Sequence, residues 1–436
     1  TPGPHVAESS CSGGHGPALN GVLKLALLLA STALTGCANK PSGYPFDVQP
    51  LYAIDDPAFV RVGDALLDRP MLAGNKVEAL RNGDKIFPSM LDAIRSARQT
   101  VVFETYIYWS GDIANQFADA LIERVRAGVV VKVLVDALGG SKMSSELIDR
   151  MKEGGVDLRF YNAIDLSSLV DANYRTHRKI LVVDGRIGFT GGVGIGDKWL
   201  GDAASPNEWR DNHYRITGPV VAQLQSAFLD NWVDTTGIVL HGEDYYPKLH
   251  ETGELLAQVV TSSSEADGSK IQMMLLLALA AAREEVLLAT PYFVPDDLTI
   301  RELVRVRERG VSVRVIVPGP IIDFELVRRA SRSTWRELLE AGIEIWAYQP
   351  TMFHCKLVVV DGLWTSVGSA NIDNRSFSLN DEVNLNVYDA HFATTQRELF
   401  HDDLRQCHRI TLQDLEDRAF IDLVLDEISS WFSPQL

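Results

Sequence analysis

HCKLVVVDGLWTSVGSAN, residues His354 to Asn371, decides how this chain is read. The apolar run that ends at Val360 predicts a β-strand, and Asp361-Gly362 behind it is the strongest short-range signal for a tight hairpin turn. Side chains alternate faces along a strand, so His354 and Lys356 project the same way while Cys355 points into the core as a small hydrophobe. The returning strand, Leu363 to Val367, brings Gly368-Ser369-Ala370-Asn371 back beside the His/Lys pair. One hairpin therefore gathers an imidazole, an ammonium, a hydroxyl, an amide and backbone N–H groups. That set suits an anionic phosphate group, with His as nucleophile or acid and the rest as charge partners.

The same stretch occurs earlier. HRKILVVDGRIGFTGGVG begins at His177, with Lys179, Asp184-Gly185 and Gly191-Gly192 at matching spacings. The segments around it repeat too: FETYIY (Phe103–Tyr108) answers to ATPYFV (Ala289–Val294), GVVVKVLVD (Gly128–Asp136) to GVSVRVIVP (Gly310–Pro318), and GVDLRFY (Gly155–Tyr161) to GIEIWAY (Gly342–Tyr348). Buried-strand runs alternate with amphipathic helices at Ile113–Arg126 and Ser144–Gly154, the first stopped by Gly128. The expectation is α/β: one duplicated unit with mixed central sheets, its two copies packed face to face with pseudo-twofold symmetry. The copies span 51–240 and 270–436, joined by a polar, turn-rich linker at 241–269. Asn75–Arg98 reads as a helix interrupted near Gly83 and Pro88.

Ahead of the first copy, Lys24 precedes an apolar run, Leu25–Leu34, too short to span a bilayer but suited to the hydrophobic segment of a signal peptide. Leu34-Thr35-Gly36-Cys37 resembles the lipobox of bacterial lipoproteins, which implies cleavage before Cys37 and lipid on its thiol. Residues 1–37 are thus read as a processed leader and 38–50 as a tether; an uncleaved anchor is the alternative, and both place the protein at a membrane. The formal net charge of -17 argues against a nucleic-acid partner, which usually needs a basic surface. No spacing among Cys11, Cys37, Cys355 and Cys407 fits a zinc site or a disulfide framework.

The paired H-x-K-x4-D motifs, each followed by a Gly-Gly or Gly-Ser pair, resemble the phospholipase D superfamily over nearly everything after Leu51. The segment MFHCKLVVVDGLWTSVGSANIDNRSFSLNDEVNLNV, preceded by VPDDL and SRSTWRELLEAGIEIWAYQP, is similar to its bacterial cardiolipin synthase branch. The resemblance implies transfer of a phosphatidyl group between phospholipids without metal or organic cofactor. Its substrates would be phosphatidylglycerol, with phosphatidylethanolamine as an alternative donor, at a membrane surface. The same resemblance leaves open a phospholipase D hydrolase and a secreted nuclease; a lipid-binding module with a decayed site is the non-enzymatic alternative. It implies His177 as nucleophile, His354 as general acid, and Lys179 and Lys356 as partners of the phosphoryl oxygens.

Asp184 and Asp361 complete the motifs and belong to the catalytic set by resemblance. Their Asp-Gly position favours a turn that orients the fold over proton transfer. Asp211, in Trp209-Arg210-Asp211, and Glu382, in Asn380-Asp381-Glu382, are by resemblance the acids that bind the far ring nitrogen of a catalytic His. Gly191, Gly192, Ser369 and Asn371 are expected at the phosphate. The first copy has Gly192 and Gly194 where the second has Ser369 and Asn371, so it offers backbone N–H groups but no amide. His213 has no counterpart in the second copy and reads as structural. Tyr106, Tyr108, Trp109, Tyr292, Phe293 and Trp364 supply aromatic bulk near the expected site.

Overall fold

The computed structural model describes residues 47–67, 69–162, 173–263 and 270–417. The apolar run at Leu25–Leu34 and the lipobox at Cys37 lie outside the described residues.

In chain order the first half contributes β1 (Leu72–Arg81), β2 (Thr100–Thr105), β3 (Val130–Asp136), β4 (Asp157–Tyr161), β5 (Arg175–Thr176), β6 (Lys179–Val183), β7 (Ile187–Gly191), β8 (Trp209–Arg210) and β9 (Asn212–Thr217). The second half contributes β10 (Leu255–Ser262), β11 (Glu285–Ala289), β12 (Phe293–Val294), β13 (Ser312–Pro318), β14 (Glu344–Tyr348), β15 (Met352–Phe353), β16 (Leu357–Val360), β17 (Trp364–Gly368), β18 (Ile372–Asp373), β19 (Asn380–Tyr388) and β20 (Cys407–Ile410). The main sheet runs β4-β3-β2-β6-β7-β9-β1, then β10-β19-β17-β16-β11-β13-β14-β20. Up to β14 the second list is the first in reverse, strand for strand. A pseudo-twofold therefore passes between β1 and β10, which pair antiparallel. Within each half three strands run parallel (β2-β3-β4 and β11-β13-β14) and the hairpins antiparallel, with β20 added antiparallel at the edge of the second half, the mixed α/β architecture that the repeat implied.

Helices cover the sheet for the reasons the pattern gives. Asp112–Arg126 buries Ile113, Phe117, Ala120 and Leu121 on one stripe, and Ser145–Glu153 is capped by the Ser144 hydroxyl accepting from Leu147 N–H. Lys270–Ala281 is apolar on nearly every side and correspondingly buried. Among the described residues no helix is long and apolar enough to cross a membrane.

Two expectations are corrected. Only Asn82–Ser96 of the segment read as one interrupted helix is helical; residues up to Arg81 form β1. Its helical spacing yields to six consecutive pairings with β9, from Lys76–Thr217 to Arg81–Asn212. The segment read as a linker contains β10, which pairs with β19 from Leu256 to Ser262.

Both Asp-Gly turns have positive φ at each central residue (Asp184 52°, Gly185 61°; Asp361 51°, Gly362 60°), the type I′ geometry that matches strand twist. Each Asp carboxylate accepts three successive backbone N–H groups at the start of the neighbouring antiparallel strand, β2 or β11. For Asp184 these are Arg98, Gln99 and Thr100 (2.9, 2.7 and 2.9 Å); for Asp361 they are Arg283, Glu284 and Glu285 (2.8, 2.8 and 2.9 Å). The counting of these two acids with the catalytic set is thereby corrected: their oxygens are committed to the backbone at the turn end of the strands. Asp361→Ala should cost about 1–3 kcal/mol of stability in denaturant unfolding, because three N–H groups lose a charged acceptor. Asp361→Asn, which tolerates the left-handed conformation, should recover part of it.

Candidate active site

The strands leading into the two histidines do not pair within their own half. β5 lies parallel to β19, and His177 N–H donates to Asp381 O at 2.8 Å. β15 lies parallel to β8, and His354 N–H donates to Arg210 O at 2.8 Å. One residue further along each partner strand comes the acid. His177 Nδ1 sits 2.9 and 3.0 Å from the two Glu382 oxygens, and His354 Nδ1 sits 2.8 Å from Asp211 Oδ2. Each half thus supplies the carboxylate for the other half's imidazole. A carboxylate at Nδ1 accepts its proton and leaves the Nε2 lone pair to face the site.

Both pairs are buried, with His177 9%, His354 5%, Asp211 0% and Glu382 0% exposed. Burial alone would push Glu382 up, but His177, Lys179 and the Ser369 hydroxyl (2.5 Å) outweigh it and hold the carboxyl at about 2. Ser376 Oγ donates a further bond at 2.8 Å. Asp211 is likewise held below its ordinary value against burial, by His354, Lys356 and Trp199 Nε1 at 3.0 Å. Burial lowers both imidazoles to about 4, against the pull of their carboxylates and with the help of their lysines. The resting site accordingly holds two neutral imidazoles and two carboxylates at pH 7.

Lys179 and Lys356 fold back so that Nζ donates to the carbonyl of the preceding histidine, at 2.7 and 3.0 Å. Burial lowers both ammonium groups, Lys179 to about 7. The charge of Lys356 acts on His177 and Lys179, and that of Asp211 on Lys179. The two motifs therefore form one electrostatic site. Tyr106 packs edge-on to His177 at 5.2 Å, while Trp199 and Trp209 flank His354 at 5.5 and 5.3 Å.

The departures from symmetry have a steric cause. A Cβ at Gly192 would lie 2.2 Å from Asp211 Oδ1, so the position that holds Ser369 in the second half must be glycine in the first. Trp199 Nε1 then supplies the bond to the acid that Ser369 supplies to Glu382. The expectation that these positions meet the phosphate is corrected. Gly192 N–H donates to Asn212 O (3.1 Å) and Ser369 N–H to Val383 O (2.9 Å), so both are used inside the sheet. Gly191 allows close approach of β9, since a Cβ there would sit 2.7 Å from Asn212 O. Asp211 and Glu382 hold imidazoles, and Ser369 is a positioning residue for Glu382. Asn371 N–H donates to Ser376 Oγ (3.1 Å) and its amide bears on Asp373, which burial raises to about 7.

Cys355 is buried in the core with its thiol pushed up, as strand alternation implied. His213 is buried on β9, pushed down to about 3 by burial. Tyr108, Phe293 and Trp364 are core. Residue reading missed the groups that fix the cross-half strands. Arg210 makes a bidentate pair with Asp403 (2.9 and 2.8 Å), and Arg178 donates to Ala227 O, Ser262 O and Glu382 O. Behind His177, Thr176 Oγ1 donates to Glu104 (2.5 Å), and burial raises Glu104 to about 7. Only the placement of Arg178 between His177 and Lys179, and of Arg210 before Asp211, hinted at these roles.

A family profile described as "Cardiolipin synthase, PLD-like domain" matches residues 90–232 and again 275–404. Cardiolipin synthase 1 of Bacillus cereus is 34% identical over 366 residues, covering 82% of this chain and 72% of that protein. The cardiolipin synthase of Alkalihalophilus pseudofirmus is 32% identical over 379 residues, 86% of this chain and 75% of that one. The crystal structure of phosphatidylserine synthase from Haemophilus influenzae superimposes with a TM-score of 0.66 at 16% identity, over 87% of this chain and 100% of that chain, a likeness of fold. The chain is a member of the phospholipase D-like cardiolipin synthase family.

Glu382→Gln and Asp211→Asn keep shape but lose the charge that fixes the Nδ1–H tautomer. Each should lower turnover by about 10⁴-fold, as a mis-set tautomer does, and should also lower the melting transition, because a buried acceptor of several hydrogen bonds loses its charge. Steady-state kinetics beside thermal unfolding checks this.

Proposed function

We propose that this protein is a phosphatidyltransferase that joins phospholipids through a phosphohistidine intermediate, with phosphatidylglycerol as substrate. The observation that carries it is the pair of buried imidazoles, each backed by an acid of the opposite half, beside two lysines that serve one site. Curated relatives that cover most of the chain bear the name cardiolipin synthase, which supports the same reading.

A phosphodiester repels anionic nucleophiles, and two steps through a covalent intermediate ease the reaction. Neutral His177 attacks phosphorus through Nε2, forming the N–P bond as the P–O bond to the leaving glycerol breaks. His354, neutral in the free site, takes up a proton from solvent at Nε2 when the phosphodiester anion binds and raises its imidazole, and gives that proton to the departing alkoxide. In the second step neutral His354 takes the proton of the incoming lipid hydroxyl, the new P–O bond forms, and His177 is released. Lys179 and Lys356 balance the charge on the phosphoryl oxygens, where most of the protein's contribution lies. Trp199, Trp209 and Tyr106 around the rings limit water and favour an alcohol acceptor.

The reading extends to location. Cys37 is the lipid attachment point, residues 38–50 are a tether, and the catalytic halves work outside the cytoplasm at a bacterial membrane. The lipobox in the sequence supports this.

Full-length protein incubated with phosphatidylglycerol vesicles, with lipids resolved by mass, should give cardiolipin and free glycerol, and His354→Ala should abolish both. Phosphatidic acid alone would make water the acceptor and phosphatidyl transfer wrong. The pH profile follows from the charges. The free site has imidazoles near 4, and a bound phosphodiester anion raises them. The general acid needs its proton, so the alkaline limb of kcat, which reports the bound complex, should lie at higher pH than that of kcat/KM. Coincident limbs would show that substrate charge does not set the acid.

A further inference from the structure

We propose that the loops following β3 and β13, tipped by Leu138 and Phe324, form a rim that seats the mouth of the site on a lipid bilayer. The inference rests on the phospholipid reading above and names the surface through which that substrate is reached. The pseudo-twofold places the two loops, Ala137–Ser144 and Gly319–Phe324, at the carboxyl ends of the parallel strands, the end at which open α/β sheets hold ligands.

The first loop is built directly onto the site. Leu138 and Gly139 donate their N–H groups to Asp136 Oδ1, whose other oxygen accepts from Thr176 N–H, one residue before His177. A Cβ on Gly139 would meet Tyr106 O at 2.0 Å, and the Tyr106 ring packs against His177. The second loop is tied down by Tyr292 OH donating to Asp323 Oδ2 at 2.8 Å, and the charge of Asp323 acts on His354 and Lys356. Ile321 and Ile322 pack against the core of the first half, so the loop bridges both halves.

On loops so anchored, Leu138 is 46% and Phe324 41% exposed. Lys142 lies over the Trp109 ring at 3.9 Å, and Trp109 Nε1 donates to Gly139 O (3.0 Å). Leucine, phenylalanine, tryptophan and lysine together are the side chains that favour a bilayer interface, apolar bodies below and a cation at headgroup level. The reacting histidines and lysines are all less than a tenth exposed. A diacyl substrate must therefore raise its headgroup into the recess while its chains stay in the bilayer, which requires the mouth to rest on the lipid.

The test uses full-length protein carrying Leu138→Ser and Phe324→Ser together, with Val130→Ser, exposed at the opposite end of β3, as control. On phosphatidylglycerol vesicles the double variant should turn over at least tenfold more slowly than wild type. On short-chain phosphatidylglycerol below its micelle concentration it should stay within twofold, and the control should match wild type on both. Equal loss on both substrates, or no loss on vesicles, would overturn the rim. If wild type turns over neither substrate, the functional reading fails and a second measurement decides the surface alone. Fluorescence of Phe324→Trp quenched by vesicles with brominated acyl chains, relative to wild type, supports docking; an unchanged signal refutes it.

Discussion

The structure depends on one exchange: the short strand that leads into each histidine pairs with the acid-bearing strand of the other half. The pairings of β5 on β19 and of β15 on β8 are only two residues long, yet they set both imidazoles. A backbone bond from each histidine N–H to the residue before the acid fixes the register, so the next carboxylate falls at Nδ1. Register in such a pairing is discrete, since a slip of one residue would turn the acid to the opposite face. The two halves therefore cannot separate without undoing both imidazole–carboxylate pairs, and chemistry and assembly share the same bonds.

Burial then gives these pairs their properties. A carboxylate removed from water is costly unless its lone pairs are satisfied. Glu382 is satisfied by Ser369 and Ser376, Asp211 by Trp199 and the Asn212 N–H. The two solutions differ because the indole reaches Asp211 from outside its hairpin, while the Asp211 carboxylate itself leaves no room for a side chain at Gly192. Two half-sites with unlike environments can titrate apart once a phosphodiester binds, which a nucleophile and an acid on one substrate require.

What could be read in the sequence was local. Asp-Gly after an apolar run gave both hairpins, and the repeat gave the mixed α/β unit, because each rests on neighbours a few residues away. Asn75–Arg81 was misread as helix because its apolar spacing fits 3.6 residues per turn, whereas pairing with β9 decides it. Leu255–Ser262 passed for linker because polar, turn-rich segments flank a short apolar run. Asp211 and Glu382 came from family likeness. Which histidine each would serve is a long-range fact with no local signature, and the same holds for Trp199, at the end of a three-residue 3₁₀ turn.

The central claim is that each half's acid sets the tautomer of the other half's histidine. Nitrogen-15 NMR of full-length protein labelled at histidine, at pH 7, reads this directly. The account predicts Nδ1–H with unprotonated Nε2 at both His177 and His354, with Glu382→Gln disturbing the His177 signals and leaving those of His354 in place. An Nε2–H tautomer at either ring, or a Glu382→Gln effect confined to His354, would contradict it.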